Sequence, residues 1–269
     1  MLPDTILKNQ LKHTLDKTNF KIGRKYEGKV RDNYSFDGKR VIITTDRISA
    51  FDRVLCSIPF KGQVLNQTSA FWFEKTKNIV KNHVIMVPDP NVMIVKECKP
   101  YPVEMVVRGY ITGVTTTSAW YNYERGVRNF CGNRLPEGLK KNQKLSKPII
   151  TPSTKAEHGL HDESISREEI IKRELVDEKT YRKMEKTAQE LFNKGEEPQK
   201  LDKEYVRQWL ANKGFIGDGP IPKIPDEVKI EAAKRYIQAY EMITGEEFKA
   251  KNEDVLDRIR KNLEKSGFS

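Results

Sequence analysis

Apolar and polar positions alternate along much of the first hundred residues. Three runs rich in β-branched and aromatic residues are separated by short turns, of which Asp37-Gly38 is the clearest. A period of two bounded by turn residues is typical of strands, and strands joined by short turns form an antiparallel meander. The predicted strands cover residues 21–26, 30–36 and 40–45.

The spacing changes to that of a helix after Pro59 and Gly62. Aromatic residues of the run NQTSAFWFEKTKNIV fall on one side of this helix, and Asn66 is its best N-cap. Strand-like runs return at 92–95 and 103–107, on either side of the segment CKPYP. The two prolines of this segment lack the amide donors that regular pairing needs, so it is predicted to be a stiff connector between two lobes.

Glycine, proline and hydroxyl residues dominate 109–166, which is predicted to be a long irregular region with one short helix near 118–125. Long ordered loops in compact enzymes tend to carry function. This region is therefore the first place to look for a site.

The last hundred residues have helical periodicity. Ser166 and Glu169 form a predicted capping box, and Gly245 and Gly267 stand where two helices are expected to end. Strands first and helices last, without regular alternation, predict an α+β fold rather than a doubly wound sheet. The helices are marked by a capped segment at 202–214 and by three apolar stripes: Tyr181, Met184, Ala188 and Leu191; Val228, Ala232, Tyr236, Tyr240 and Ile243; and Val255, Ile259 and Leu263.

Charge adds a preference for anionic partners. The 269 residues include 49 Lys and Arg against 38 Asp and Glu, which gives a formal net charge of +11. The two signs are interleaved, which fits a small phosphorylated substrate at least as well as nucleic acid, and a solvated basic surface is the plainer alternative. The chain has no helix-turn-helix, zinc-finger or aromatic RNA-binding motif, so we expect no nucleic-acid partner.

A membrane partner is not expected either. No apolar run approaches the roughly 20 residues of a transmembrane helix. The N-terminus lacks the basic and apolar regions of a signal peptide, so the sequence predicts a cytoplasmic protein.

The turn between the first two predicted strands contains Gly28, Lys29 and Arg31. Glycine lets the backbone approach a ligand, and two cations beside it suit a phosphate. The turn matches no standard phosphate-loop pattern, and taken alone it is better explained as a basic hairpin on the surface.

Two further segments place chemistry at the ends of strands. Asp46 and Ser49 follow the third strand and could bind a ligand, although side chains of these types also cap backbone amides in turns. Arg108 ends an apolar run, where a guanidinium suits bidentate recognition of phosphate or carboxylate. Its alternative is a structural ion pair with Glu104 or Asp52.

The loop at 151–163 combines hydroxyls, Lys155, His158, His161 and Asp162. Two histidines three apart are conceivable zinc ligands but are common in loops. Anion binding is the favoured interpretation.

Taken together, these segments resemble a known family. GKVRDNY, TTDRISAFD, KGQVLNQTSAFWF, PVEMVVRGYITG, KPIITPSTKAEHGLHDESIS and LDKEYVRQWL occur in the order found in the phosphoribosylaminoimidazole-succinocarboxamide synthase family. The resemblance implies ATP-dependent ligation of L-aspartate to carboxyaminoimidazole ribonucleotide (CAIR), giving the succinocarboxamide nucleotide (SAICAR), ADP and phosphate in purine biosynthesis. It implies ATP and Mg²⁺ as cofactors, passage through an acyl phosphate, and CAIR and L-aspartate as small-molecule partners, and it leaves a homo-oligomer open.

The fold that the resemblance implies is a small antiparallel β lobe over a larger α+β lobe. The first would be residues 1–100, with the phosphate turn, and the second 101–269, with the C-terminal helices and an ATP cleft between the lobes. The implied sites fall into three sets, with Lys29, Arg31, Lys155 and Asp162 as catalytic residues. These sets are Gly28, Lys29, Arg31, Lys96 and Glu104 for ATP; Asp46, Ser49 and Arg108 for the nucleotide substrate; and Lys155, His161 and Asp162 for aspartate and the reacting carboxylate.

The chain departs from the family after Phe192. Members resembling it carry several dozen further residues there, including strands that supply the Mg²⁺ carboxylates and a substrate arginine, so the sequence assigns no metal ligand. A non-catalytic descendant that binds nucleotide without turnover is therefore the main alternative. A nucleic-acid-binding protein is the second.

Overall fold

The computed structural model describes residues 2–51, 53–155, 162–194, 204–251 and 253–268. It is a mixed structure of helices and antiparallel sheets, which confirms the predicted α+β class. The chain contacts divide it into two compact units, Met1–Cys98 with Glu196–Ser269, and Lys99–Gly195. These units differ from the two predicted domains, because the C-terminal helices group with the N-terminal sheet instead of with the middle of the chain.

The first unit contains the predicted meander. Its main sheet has five antiparallel strands in the order β1-β2-β3-β7-β6, and a separate hairpin is formed by β4 and β5. The strands are β1 (Arg24–Glu27), β2 (Arg31–Phe36), β3 (Lys39–Thr44), β4 (Arg47–Ala50), β5 (Arg53–Ser57), β6 (Val84–Asp89) and β7 (Val92–Lys96).

The described part of the first unit also contains five α-helices. The one at the C-terminus packs over the sheet, where Ile259 meets Tyr34, Val41 and Ile94 in a buried cluster. A second cluster joins the remaining helices through residues such as Val64 and Ile237. The helices are α1 (Asp4–Gln10), α2 (Lys61–Thr76), α6 (Glu204–Asn212), α7 (Asp226–Thr244) and α8 (Val255–Lys265).

Helix α2 begins five residues before the predicted N-cap, so the prediction for Asn66 was wrong. Asn66 lies inside the helix and donates through Nδ2 to the carbonyl of Pro90 at 3.0 Å. Phe60 precedes the helix with a φ of 61° and gives it no side-chain cap. The amide of Gly62 instead donates to Oδ1 of Asp46 at 2.8 Å, so a carboxylate sixteen residues upstream caps the first turn.

Glycine is required at position 62 because α2 begins against the sheet. A Cβ there would lie 2.3 Å from the carbonyl oxygen of Thr44 and 2.5 Å from Nδ2 of Asn91. The close approach lets Asp46 reach the helix end.

A buried ion pair ties α8 to the turn between β6 and β7. Nε of Arg258 donates to Asp89 at 2.9 Å, and its Nη2 donates to Oδ1 of Asn91 at 2.6 Å. Asn262 donates to the same Asp89 carboxylate at 2.7 Å. The aspartate side chain is 0% exposed and the arginine side chain 7%, so this pair is part of the interior of the first unit.

The second unit is more regular than the predicted irregular region. Its strand β12 (Gln143–Ile150) pairs with β9 (Val107–Ile111), and β13 (Ser153–Thr154) pairs with β8 (Val103–Glu104). The short helix was predicted correctly, and Ser166 caps its helix by accepting from the amide of Glu169 at 3.3 Å. The other elements are β10 (Asn129–Phe130), β11 (Asn133–Arg134), α3 (Ala119–Tyr123), α4 (Arg167–Lys172) and α5 (Glu178–Lys194).

A polar cavity of about 460 Å³ lies between α5 and β12. Tyr181, Glu185 and Gln189 of the helix line one side, and Ile149 and Ile150 of the strand line another. Among the described strands β12 pairs with β9 alone. The sheet beside α5 therefore has two strands in the described part of this unit.

None of the helices in the described parts of the chain combines the length and apolar character that a transmembrane helix needs.

Candidate active site

The turn that joins β1 to β2 has the geometry of a tight hairpin end. Glu27 lies opposite Asp32, and the amide of Gly28 donates to the carbonyl of Arg31 at 2.8 Å. The side chains of Lys29 and Arg31 extend to the exposed side. Partial desolvation by neighbouring protein lowers the pKa of Arg31 from its ordinary value, although an arginine in this position stays charged.

Arg47 lies beneath this turn and was not among the predicted site residues. It is 4% exposed, and its guanidinium donates to the carbonyls of Lys29 at 3.1 Å and Gly28 at 2.8 Å. It also donates to the carbonyl of Asp16 and, at 2.9 Å, to Oδ1 of Asp32. The sequence contained no local signal for this role, because the contacts join residues 15 to 31 positions apart.

Asp46 lies in the interior at 1% exposure, where its carboxylate joins two segments of the first unit. One oxygen accepts from the amide of Leu15 at 2.8 Å and the other from that of Gly62. Burial raises its pKa to about 6 in spite of these donors. The structure thus gives Asp46 the amide-capping role that the sequence offered as the alternative to ligand binding. Ser49 is half-buried on β4 opposite Val54, beside an irregularity in the hairpin register.

Lys96 lies far from the phosphate turn within the same sheet. It pairs with Lys39 at the start of β3, whereas Arg31 pairs with Thr44 at the end of that strand. Five residue steps at roughly 3.4 Å each separate the two positions by about 17 Å along the strands, and β3 lies between their two strands, so the full separation is about 20 Å. A ligand that touched both residues would have to be extended along the strands.

Arg108 occupies β9 in the second unit, half-buried. Its Nε donates to Oγ1 of Thr151 at 2.7 Å and its Nη2 to the carbonyl of Thr117 at 3.1 Å. Desolvation lowers its pKa from the ordinary value. Among the described residues no carboxylate forms an ion pair with it, and Glu104, one of its two suggested partners, is not bonded to it. Asp52, the other, lies outside the described residues.

The loop predicted to receive aspartate begins and ends on the β8–β13 ladder. Lys155 donates its amide to the carbonyl of Pro102 at 2.9 Å, and Ser153 pairs with Glu104. The amide of Thr154 donates to the carbonyl of Glu163 at 2.9 Å. This contact brings the chain at Lys155 close to the chain at Asp162, at the base of the loop. Residues 156–161, with His158 and His161, lie outside the described residues.

Magnesium was expected from the resemblance. Within the described ranges, no group of three or more His, Cys, Asp and Glu side chains is placed to hold a metal ion. The described residues therefore do not fit a protein-ligated Mg²⁺.

Comparison with known proteins defines the class. A phosphoribosylaminoimidazole-succinocarboxamide synthase of Legionella pneumophila (strain Paris) is 40% identical over 307 aligned positions, which cover 93% of this chain and 98% of that protein. The solved structure of SAICAR-synthase from Saccharomyces cerevisiae, complexed with SAICAR, has a TM-score of 0.75 at 28% identity and covers 88% of this chain and 100% of its own. A type-2 SAICAR synthetase in complex with ADP shares the fold at 22% identity, with a TM-score of 0.57 over 84% of this chain and 100% of its own. The chain is thus an enzyme of the ligase class.

The family follows from a direct match. The family model for SAICAR synthetase matches residues 24–198. This chain belongs to the SAICAR synthetase family, as its sequence motifs predicted.

The alignment also bears on the predicted departure from the family. The 307 aligned positions exceed the 269 residues of the entire chain. The Legionella protein therefore carries residues within the aligned range that have no counterpart here.

Proposed function

We propose that this chain uses ATP to ligate L-aspartate to CAIR, forming SAICAR, ADP and phosphate in purine biosynthesis. Family membership supports the reaction class. Among this chain's own residues, the environment of Arg108 is the observation that best supports the proposal. A half-buried guanidinium bonded only to neutral oxygens among the described residues suits an anion that arrives with the substrate.

The phosphates of ATP are assigned to the turn at Gly28, Lys29 and Arg31. Two exposed cations flank a backbone that can come close to a ligand, and they would offset the charge of the phosphate chain. Lys96, at the far end of the same sheet, is assigned to the adenine end. The displacement of about 17 Å along the strands suits an extended nucleoside triphosphate that long side chains reach from either end.

The chemistry that these residues serve is the activation of a carboxylate. A carboxylate oxygen of CAIR attacks the γ-phosphorus of ATP, the bond to the bridging oxygen breaks, and ADP leaves. The amine of aspartate then adds to the carbonyl carbon of the acyl phosphate, loses a proton, and expels inorganic phosphate. Fixed cations reduce the repulsion among three anionic reactants, and positioning supplies much of the rate.

Residues of the second unit are assigned to the acceptor side. Arg108 would hold a carboxylate or phosphate of the nucleotide through two aligned donors. The family resemblance assigns Asp46 and Ser49 to the nucleotide substrate as well, and the buried Asp46 also fixes the chain three residues before Ser49. Lys155, His161 and Asp162 are assigned to aspartate and the reacting carboxylate. Mg²⁺ is assigned to the ATP phosphates, without a ligand from the described residues.

A coupled ADP assay tests the reaction. We expect ADP only when ATP, L-aspartate and CAIR are all present. With ¹⁸O in the CAIR carboxylate, one labelled oxygen should appear in the released phosphate, since the acyl phosphate transfers it. ADP formation without CAIR or aspartate would overturn the substrate assignment, and unlabelled phosphate would overturn the acyl phosphate. Nucleotide binding without turnover under any condition would favour the non-catalytic alternative.

Replacing Arg108 by lysine should lower kcat/KM by at least on the order of tenfold, about 1.4 kcal/mol, although the charge is kept. An ammonium cannot present two coplanar donors to one anion. Steady-state kinetics with CAIR varied measure the effect. Arg128→Lys is the matched control, since Arg128 pairs with Glu137 at the surface of the same unit. An Arg108→Lys enzyme as active as the control would make Arg108 a structural residue.

A further inference from the structure

The backbone oxygens of the phosphate turn are all bonded to protein. The guanidinium of Arg47 donates hydrogen bonds to the carbonyls of Gly28 and Lys29. The carbonyl of Val30 accepts from the amide of Thr45 at 3.1 Å and from its hydroxyl at 2.9 Å. The carbonyl of Arg31 accepts from the amide of Gly28 at the neck of the turn.

These hydrogen bonds determine which groups of the turn face an approaching anion. A phosphate oxygen only accepts hydrogen bonds and is repelled by a carbonyl oxygen that faces it. A carbonyl that is bonded inward directs the negative end of its peptide dipole into the protein. With its four carbonyls bonded to protein, the turn presents the exposed side chains of Lys29 and Arg31 to the solvent.

The charge of Arg47 is balanced where it lies, so it need not neutralise a ligand. Oδ1 of Asp32 accepts from Arg47, and Oδ2 accepts from the amide and hydroxyl of Thr18 at 2.6 and 2.8 Å. The Asp32 side chain is 0% exposed and that of Arg47 is 5% exposed. The guanidinium of Arg47 therefore affects the turn through the direction of its hydrogen bonds and not through a net charge.

We propose that Arg47 is a positioning residue for nucleotide binding, which holds the carbonyls of Gly28 and Lys29 inward so that the turn accepts the phosphate chain. This inference rests on the proposed ATP site. It adds a residue that touches neither the substrate nor the phosphates. Thr45 performs the same task for the carbonyl of Val30.

Arg47→Lys separates positioning from charge, because a lysine can still pair with Asp32 but cannot reach two carbonyls and a carboxylate in one plane. Calorimetric binding of ADP and of adenosine to wild type and variant is the measurement. Only ADP carries phosphates, so we expect its Kd to rise by about tenfold, roughly 1.4 kcal/mol, while that of adenosine stays within twofold. Arg260→Lys is the control. Arg260 is exposed on α8 of the same unit and lies 3.8 Å from Asp257, and its substitution should change neither Kd.

Thr45→Val covers the case in which Arg47→Lys does not fold. It removes one bond to Val30 and keeps the volume, so the Kd of ADP should rise by a few-fold with adenosine unaffected. If the folded variants bind ADP as tightly as wild type, or lose adenosine and ADP equally, Arg47 does not position the turn. If the wild-type protein does not bind ADP, the proposed function is wrong. If the wild type binds ADP and the variants bind it equally well, only the role of Arg47 is wrong.

Discussion

Replacing Arg258 by alanine is expected to lower the free energy of unfolding by about 3–5 kcal/mol. The substitution leaves the Asp89 carboxylate at 0% exposure with its charge uncompensated, although Asn262 and the amide of Asn91 still donate to it. It also removes the contacts of Arg258 with Asp89 and Asn91, which leaves Asn262 as the hydrogen-bonding link from α8 to Asp89. Chemical denaturation of the purified variant measures the loss.

Arg260→Ala on the same helix is the control. Arg260 is exposed and lies 3.8 Å from Asp257, so its removal should cost no more than about 0.5 kcal/mol. The double variant Asp89→Ala/Arg258→Ala should lose less than the sum of the two single variants, since neither then leaves a buried charge alone. Additive losses would mean that the two side chains contribute independently.

Inserting the relatives' additional residues after α5 is expected to raise both turnover and stability. The resemblance puts the metal carboxylates and two strands of the family in that stretch, and the described residues here assemble no metal site. The cavity beside α5 leaves room for further strands, and among the described strands β12 pairs with β9 alone. We expect kcat to rise by at least on the order of a hundredfold, about 2.7 kcal/mol of barrier, with a higher Tm.

A glycine- and serine-rich insertion of equal length at the same position is the control and should improve neither quantity. Turnover is measured against Mg²⁺ concentration, because carboxylates that orient the ion should lower the concentration needed. If the chain without the insertion turns over as fast and responds equally to Mg²⁺, its metal ligands lie elsewhere. Asp162 is then the first position to test.

Local patterns were sufficient to predict four of the five strands of the first sheet and most helices, whereas β6 was not predicted. The β-branched runs around Asp37-Gly38 specify a hairpin through neighbours in the chain, and the Ser166 cap is satisfied by Glu169 three residues on. Where a strand depends on a distant partner, the pattern was insufficient. Residues 143–150 contain lysines and a proline, and they form β12 because β9 lies beside them.

Helix α2 shows the same limit at a helix end. The residues adjacent to the helix indicate Asn66 as its N-cap, whereas the carboxylate that caps the helix is that of Asp46. The wrong start of α2 therefore comes from a contact that the adjacent sequence does not contain. The cap is a hydrogen bond between Asp46 and Gly62, which are sixteen positions apart.

The candidate site was predictable where family motifs carried it and not where the fold assembles it. Arg108 was singled out because an arginine ends an apolar strand, and the structure then added that Thr151 and Thr117 orient it. Arg47 stood in a quoted motif without an assigned role. Its role depends on the β4 strand passing under the β1–β2 turn, which no spacing within the motif encodes.

The ion pair between Asp89 and Arg258 also bears on how the protein is made. Its partners are 169 positions apart, so a ribosome that adds about 5–20 residues per second needs on the order of ten seconds or more between them. During that interval every residue of the second unit is synthesised. The sheet of the first unit lacks α8 in the same interval, so Tyr34 and Val41 are not covered by it. The nascent chain thus exposes an apolar sheet surface until α8 has been synthesised, and chaperones that bind such surfaces would protect it in that interval.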